Sequence, residues 1–275
     1  MNILYILGTI ILCVFVLWCL MLSPRRGHPG WEALAKYRYA HRGLHDKSRG
    51  VPENSLPAFR AAVERGYGAE LDLHLLKDGK LAVFHDSSLK RVCGADVTIE
   101  ELTSGELKDH TLLDTAHRIP LFEEVLEIFG GKTPLIIELK VVGGNAGPLV
   151  EAAISALEGW EGLWCMESFH PSAVRYLKDH YPHVIRGQLS ENFMETSEVG
   201  GLPKGQAFVM THLLTTAATK PDFIAYRWQD RGQPAMGLMR LLYRVKEVSW
   251  TIRDRETLEK LEKEGCVPIF ENFIP

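Results

Sequence analysis

PLIIELKVVGGNAGPLVEAAISALEGWEGLWCMESFHPSAVRYLKDH, residues 134–180, holds two strand-then-helix units in succession. PLIIEL (134–139) and LWCME (163–167) are short apolar runs of strand length, whereas GPLVEAAISALEG (147–159) and SAVRYLKDH (172–180) space their apolar residues at helical intervals. Strands that alternate with helices build a parallel sheet. The alternation continues upstream with YRYAH (37–41), PAFRAAVERG (57–66), AELDL (69–73) and LAVFH (81–85). Downstream it runs through HVIRGQL (183–189), AFVMT (207–211), DFIAY (222–226), VSWTI (248–252), ETLEKLEKEG (256–265) and PIFEN (268–272). Eight or nine strands in about 240 residues fit a closed TIM-type (β/α)8 barrel better than an open doubly wound sheet, the alternative that a strand count leaves open. Two irregularities interrupt the series. Only the turn LKDGK (76–80) separates two strands, so one barrel helix is missing, and a polar excursion of short helices occupies about 87–118, after the third strand.

The chain has 275 residues, 46% of them apolar and 24% charged, with a net charge of −4, so it buries a large core and is not built to bind nucleic acid. Of five cysteines, Cys13 and Cys19 lie in the apolar N-terminus, and Cys93, Cys165 and Cys266 stand far apart with no CxxC spacing. They read as reduced, packed thiols rather than as a disulfide or zinc framework. No G-x-G-x-x-G or G-x-x-x-x-G-K-[ST] opens a helix, so no nucleotide cofactor is expected.

ILYILGTIILCVFVLWCLML, residues 3–22, carries no charge and as a helix spans about 30 Å, one hydrocarbon core. It lacks the basic n-region and small-residue cleavage site of a signal peptide, so residues 1–22 are expected to be a single-pass anchor. Arg25, Arg26, Lys36, Arg38 and Arg42 follow it, and the positive-inside rule places the remainder in the cytoplasm. Residues 23–34, with Pro24, Gly27, Pro29 and Gly30, are expected to form a linker, and 35–275 the barrel.

In AELDLH the two-residue period puts Glu70, Asp72 and His74 on one strand face and Leu71 and Leu73 on the other. IIELK repeats the pattern with Glu138 and Lys140. Three carboxylates converging at the C-terminal mouth of a barrel make an oxygen-only site suited to Ca²⁺ or Mg²⁺ and not to Zn²⁺. The competing reading is purely structural pairing of these carboxylates with Arg or Lys neighbours. His41, in AHRG, and His85, in VFHD, end two further strands, where barrel enzymes keep acid/base groups.

Taken in order, HRG (41–43), PENS (52–55), ELDLH (70–74), DGKLAVFHD (78–86), TIEEL (98–102), IPLFEEVL (119–126), IELK (137–140), ESFH (167–170) and WT (250–251) resemble the glycerophosphodiester phosphodiesterase family over about residues 37–273. The resemblance implies a TIM-type barrel that hydrolyses glycerophosphodiesters to glycerol 3-phosphate and an alcohol with a divalent cation. It makes Glu70, Asp72 and Glu138 the metal ligands, His41 and His85 the acid/base pair, Arg42 and Lys140 the phosphate contacts, and Glu53 a metal or glycerol contact. A lysophospholipase D-like activity on membrane lysophospholipids and a non-catalytic anchored binding protein are the alternatives. The chain departs from the family pattern at Arg253 and at Glu271-Asn272, where an Asn and a Thr-Asp pair are usual; this is expected to leave the core chemistry untouched.

Overall fold

In the computed structural model, which describes residues 3–195 and 201–275, the strand Gly68–Leu75 shows how the barrel is built. Ala69, Leu71 and Leu73 face outward onto Phe59, Phe122, Val125 and Phe129 of the helices Leu56–Glu64 and Phe122–Phe129. The alternate residues Glu70, Asp72 and His74 are buried with them, leaving three polar side chains inside the ring. At the strand's start a Cβ on Gly68 would stand 2.7 Å from the Tyr39 ring and 2.9 Å from the Pro134 carbonyl, so only glycine lets the neighbouring strands approach there.

The strands are β1 (Tyr39–His41), β2 (Gly68–Leu75), β3 (Leu81–Val83), β4 (Leu135–Leu139), β5 (Trp164–Ser168), β6 (Arg186–Ser190), β7 (Phe223–Arg227), β8 (Lys246–Ile252) and β9 (Val267–Phe270). β1, β2 and β4 to β9 are parallel and close on themselves through β1–β2 and β1–β9 pairing, forming an eight-stranded barrel. β3 stands outside the ring. It pairs antiparallel with β2 (Leu73↔Val83), so the missing helix is explained by a hairpin, and β4 is the third strand of the barrel proper. The excursion that follows packs its own small core, in which Leu89, Val92, Ile99, Leu107 and Leu112 surround Phe84. AFVMT is not a strand but part of the helix Lys204–Thr211, with Ala207, Met210 and Thr211 inward and Phe208 and Val209 exposed. Four apolar residues and a threonine fit either period, and tertiary packing decides between them.

Ile3–Met21 is one helix with no buried residue, long and apolar enough to cross a membrane. Residues 23–34, expected as a linker, lie against the barrel. The Arg25 guanidinium meets Asp222 at 2.5 Å and donates to the carbonyls of Pro182 and Val184, while Trp31 stacks at 5.1 Å on Phe223. Asp222 is 3% exposed and also accepts the Arg186 N–H at 3.0 Å. Removing Arg25 leaves that carboxylate only the Arg186 N–H, and because the guanidinium is itself about a quarter exposed, Arg25→Ala is expected to lower unfolding stability by about 1–3 kcal/mol, below the range for a fully buried pair. Denaturant titration with an unchanged m-value checks it; a loss below about 0.5 kcal/mol would make the pair incidental.

Candidate active site

Register sets the carboxylates side by side: Asp72 pairs with Glu138 across β2–β4, Glu138 with Glu167 across β4–β5, and His41 with Glu70 across β1–β2. Ligand atoms of Glu70, Asp72 and Glu138 lie within 4.8 Å of one another, all three residues buried. Lys140, just past β4, reaches back between two of them, with Nζ 2.9 Å from Asp72 and 2.7 Å from Glu138. Arg42 follows β1 in the left-handed region (φ 53°), which points its N–H at Glu70 (3.1 Å) and its guanidinium at Glu53 (2.8 Å) and Asp72 (3.5 Å). Asn54, also left-handed (φ 51°), donates to Asp72 at 2.7 Å.

Both histidines are held by carboxylates. His41 Nδ1 lies 3.2 Å from Glu271 Oε2, leaving Nε2 toward Glu70 at 3.9 Å. His85 follows β3, with Nδ1 2.6 Å from Asp86, which in turn accepts from Arg91 Nε at 2.6 Å. Arg91 also binds both oxygens of Glu53, at 3.0 and 2.7 Å, so the excursion is strapped to the β1 loop. His41, Arg42, Glu70, His85, Glu138, Glu167, Phe169 and Trp250 together line a void of about 20 Å³. A larger cleft of about 450 Å³ opens beside it past Lys140, Ser168 and His170.

The electrostatics are those of an acid-rich centre short of counter-charge. Burial first, then repulsion from Asp72 and Glu138, pushes the Glu70 carboxyl well above its usual range. Burial likewise raises Glu138, against the pull of Lys140, and raises Glu167, whose Oε2 is buried without a hydrogen-bond partner. Asp72 goes the other way, because Lys140, His85 and Arg42 outweigh its burial. His41 is pushed down to about 4 by burial and then by Arg42, against Glu271, while Glu271 itself falls to about 2 because His41 and Arg253 outweigh its burial.

A divalent cation fits this donor set. Three buried carboxylates converge, a fourth offers an orphaned oxygen, and the void admits one ion or water. The structural pairing weighed against this is also present, since Lys140 and Arg42 do bind Asp72, Glu138 and Glu53, but it leaves Glu70 and Glu167 undercompensated.

The structure brings together His41, His85, Arg42, Lys140, Glu70, Asp72 and Glu138. Glu53 stands apart from the carboxylate triad, its oxygens taken by Arg42 and Arg91. Glu271 corrects the sequence expectation. The departure at this position touches the core, because β9 closes the ring beside β1 and sets the carboxylate on His41. Sequence reasoning also passed over Glu167, although ESFH repeats the strand-end carboxylate signal, and over Arg91, for which only the excursion's fold gives the signal; Asp86 is visible in sequence as the neighbour of His85 in VFHD.

Fold and site together define a (β/α)8-barrel protein with a carboxylate–histidine centre at the C-terminal mouth. The model of the glycerophosphoryl diester phosphodiesterase family matches residues 41–275, and the chain belongs to that family. A Caldanaerobacter subterraneus subsp. tengcongensis protein named glycerophosphodiester phosphodiesterase is 34% identical over 163 residues, covering 54% of this chain and 65% of the relative. A Bacillus altitudinis protein of the same name is 39% identical over 157 residues, covering 53% and 63%. The chain thus spans just under two thirds of the length of these curated relatives. Among solved structures, an Oleispira antarctica phosphodiesterase in complex with the product sn-glycerol-3-phosphate has a TM-score of 0.70 at 22% identity, covering 90% of this chain and 95% of that one. At that identity the likeness shows the fold.

Proposed function

We propose that this chain hydrolyses glycerophosphodiesters to glycerol 3-phosphate and an alcohol, with Ca²⁺ or Mg²⁺ held by Glu70, Asp72 and Glu138. The observation that carries the reading is one small void bounded by two histidines, two members of that triad and Arg42. When bound, the cation supplies Lewis-acid polarisation of the phosphoryl oxygens. Lys140 and Arg42 add positive charge where the transition state gains negative charge.

His41 gives its Nδ1–H to Glu271, which leaves Nε2 with a lone pair, and its depressed pKa keeps the ring neutral at pH 7. It therefore takes the proton of the nucleophile, the glycerol 2-hydroxyl or water. His85, oriented by Asp86, delivers a proton to the leaving alkoxide. Glu53 is a positioning residue that brackets Arg42 and Arg91. Residues 3–21 anchor the barrel in the membrane, and the basic residues after them keep it on the cytoplasmic side.

The test is release of glycerol 3-phosphate from glycerophosphocholine and glycerophosphoglycerol by the purified full chain, measured by an enzyme-coupled assay. Product from either substrate is expected; none from both would overturn the reading. Resistance of the chain to carbonate extraction from membranes is the matching expectation for the anchor.

A further inference from the structure

The helix Lys204–Thr211 has two faces with different neighbours. On the inner face Ala207 and Met210 pack with Phe193, Phe169 and Leu202. Phe169 contacts Trp250 edge-to-face at 5.6 Å, and both rings border the void between His41 and His85. Gln206, Met210 and Leu202 also line the larger cleft together with Val141, Val142 and Pro171, so the cleft that holds Lys140 and His85 also has apolar lining.

The outer face leads to the apolar N-terminal helix. Phe208 and Val209 are 49% and 37% exposed. Phe208 packs tilted against His212 at 4.3 Å, His212 meets Trp18 at 6.1 Å, and Trp18 meets Phe15 at 6.4 Å, so a row of rings joins this helix to Ile3–Met21. Tyr243 donates to the Cys19 carbonyl at 2.5 Å, and Arg26 lies over the Tyr243 ring at 5.2 Å. Leu241 and Leu242, beside them, are 77% and 45% exposed. Trp, Tyr and Arg at the end of an apolar helix are the groups that sit at the headgroup level of a bilayer. Four exposed apolar side chains, Phe208, Val209, Leu241 and Leu242, flank that junction.

We infer that Phe208, Val209, Leu241 and Leu242 form a second membrane contact that lays the barrel against the bilayer holding residues 3–21, so that the catalytic cleft receives a single-chain phosphodiester lipid from the membrane, its hydrocarbon along Val141, Val142, Leu202 and Met210. The inference rests on the phosphodiesterase reading and on residues 3–21 spanning a membrane. The occupant of the patch is lipid because the patch is continuous with the membrane-crossing helix. The bond broken is the same as for a soluble diester: water adds to phosphorus and the head-group alcohol leaves with a proton.

The test uses the full chain in phosphatidylcholine–phosphatidylglycerol vesicles. With lysophosphatidylcholine in those vesicles, Phe208→Ser/Leu241→Ser is expected to lose roughly tenfold in rate, as each apolar side chain withdrawn from the interface weakens its hold. With soluble glycerophosphocholine its rate stays within about twofold of the unsubstituted chain, which an effect on folding would not allow. Equal loss on both substrates, or none on either, overturns the inference, as does hydrolysis of glycerophosphocholine alone by the unsubstituted chain. A second readout needs no activity. Phe208→p-benzoylphenylalanine should photocrosslink to vesicle lipid, whereas Arg60→p-benzoylphenylalanine, on the exposed face of the helix Leu56–Glu64 beside β2, should not. Equal crosslinking, or none at 208, overturns the membrane contact even if no substrate is turned over. Inactivity on both substrates with crosslinking intact removes the phosphodiesterase reading and the lipid-substrate claim with it, and leaves the surface standing.

Discussion

Glu70→Gln, Asp72→Asn and Glu138→Gln are each expected to reduce turnover on the order of 10³-fold or more, since on the proposed reading each removes a ligand of a cation whose Lewis-acid contribution amounts to several kcal/mol. Each amide keeps the side-chain volume and withdraws one hard anionic ligand from a group spanning no more than 4.8 Å. The three differ in what they do to the metal-free barrel, and this separates a metal site from simple ion pairing. The Glu70 carboxyl resists ionisation, first through burial and then through Asp72 and Glu138, so Glu70→Gln relieves repulsion and leaves stability unchanged or higher. Asp72 is held ionised because Lys140, His85 and Arg42 outweigh its burial, so Asp72→Asn leaves two half-buried cations short of a partner and lowers stability. Calorimetric titration with Ca²⁺ and Mg²⁺, beside thermal unfolding, checks both halves. Undiminished cation affinity in all three variants would reduce the carboxylates to a structural role.

On the proposed acid/base roles, His41→Ala and His85→Ala are each expected to cost roughly 10²–10⁴-fold in kcat/KM, the usual contribution of positioned acid/base catalysis. Because burial and Arg42 hold His41 at about 4, with His41 as the base activity is expected to persist below pH 6 and to be lost as pH falls toward 4, where that ring becomes protonated. The alkaline limb reports the acid, and both limbs are macroscopic values of the free enzyme. A nitrophenyl ester of glycerol phosphate needs no proton on its leaving group. His85→Ala should therefore regain most of its rate on that substrate while His41→Ala should not. Equal behaviour of the two variants would reverse or remove the assignment.

Much of this was legible in the chain because it depends on short periods. Alternating strand and helix runs led to the barrel, and the two-residue period of AELDLH put Glu70 and Asp72 inside it. What was not legible depends on closure. Glu271 lies 230 residues from His41, and only the β9–β1 pairing brings them together. Arg91 is an ordinary basic residue in sequence, and its role as a strap follows from where the excursion folds over Glu53 and Asp86. Residues 23–34 carry the glycines and prolines of a spacer, yet the Arg25–Asp222 pair and Trp31 fasten them to the barrel, contacts that no local pattern announces.

The most direct measurement follows glycerophosphocholine by phosphorus NMR with the purified full chain after exhaustive chelation, then after return of Ca²⁺ or Mg²⁺. The expected result is a single new monoester signal, glycerol 3-phosphate, that is absent from the chelated sample and returns with either cation. Hydrolysis that proceeds undiminished after chelation would contradict the carboxylate-held cation, and no monoester under any condition would contradict the activity itself.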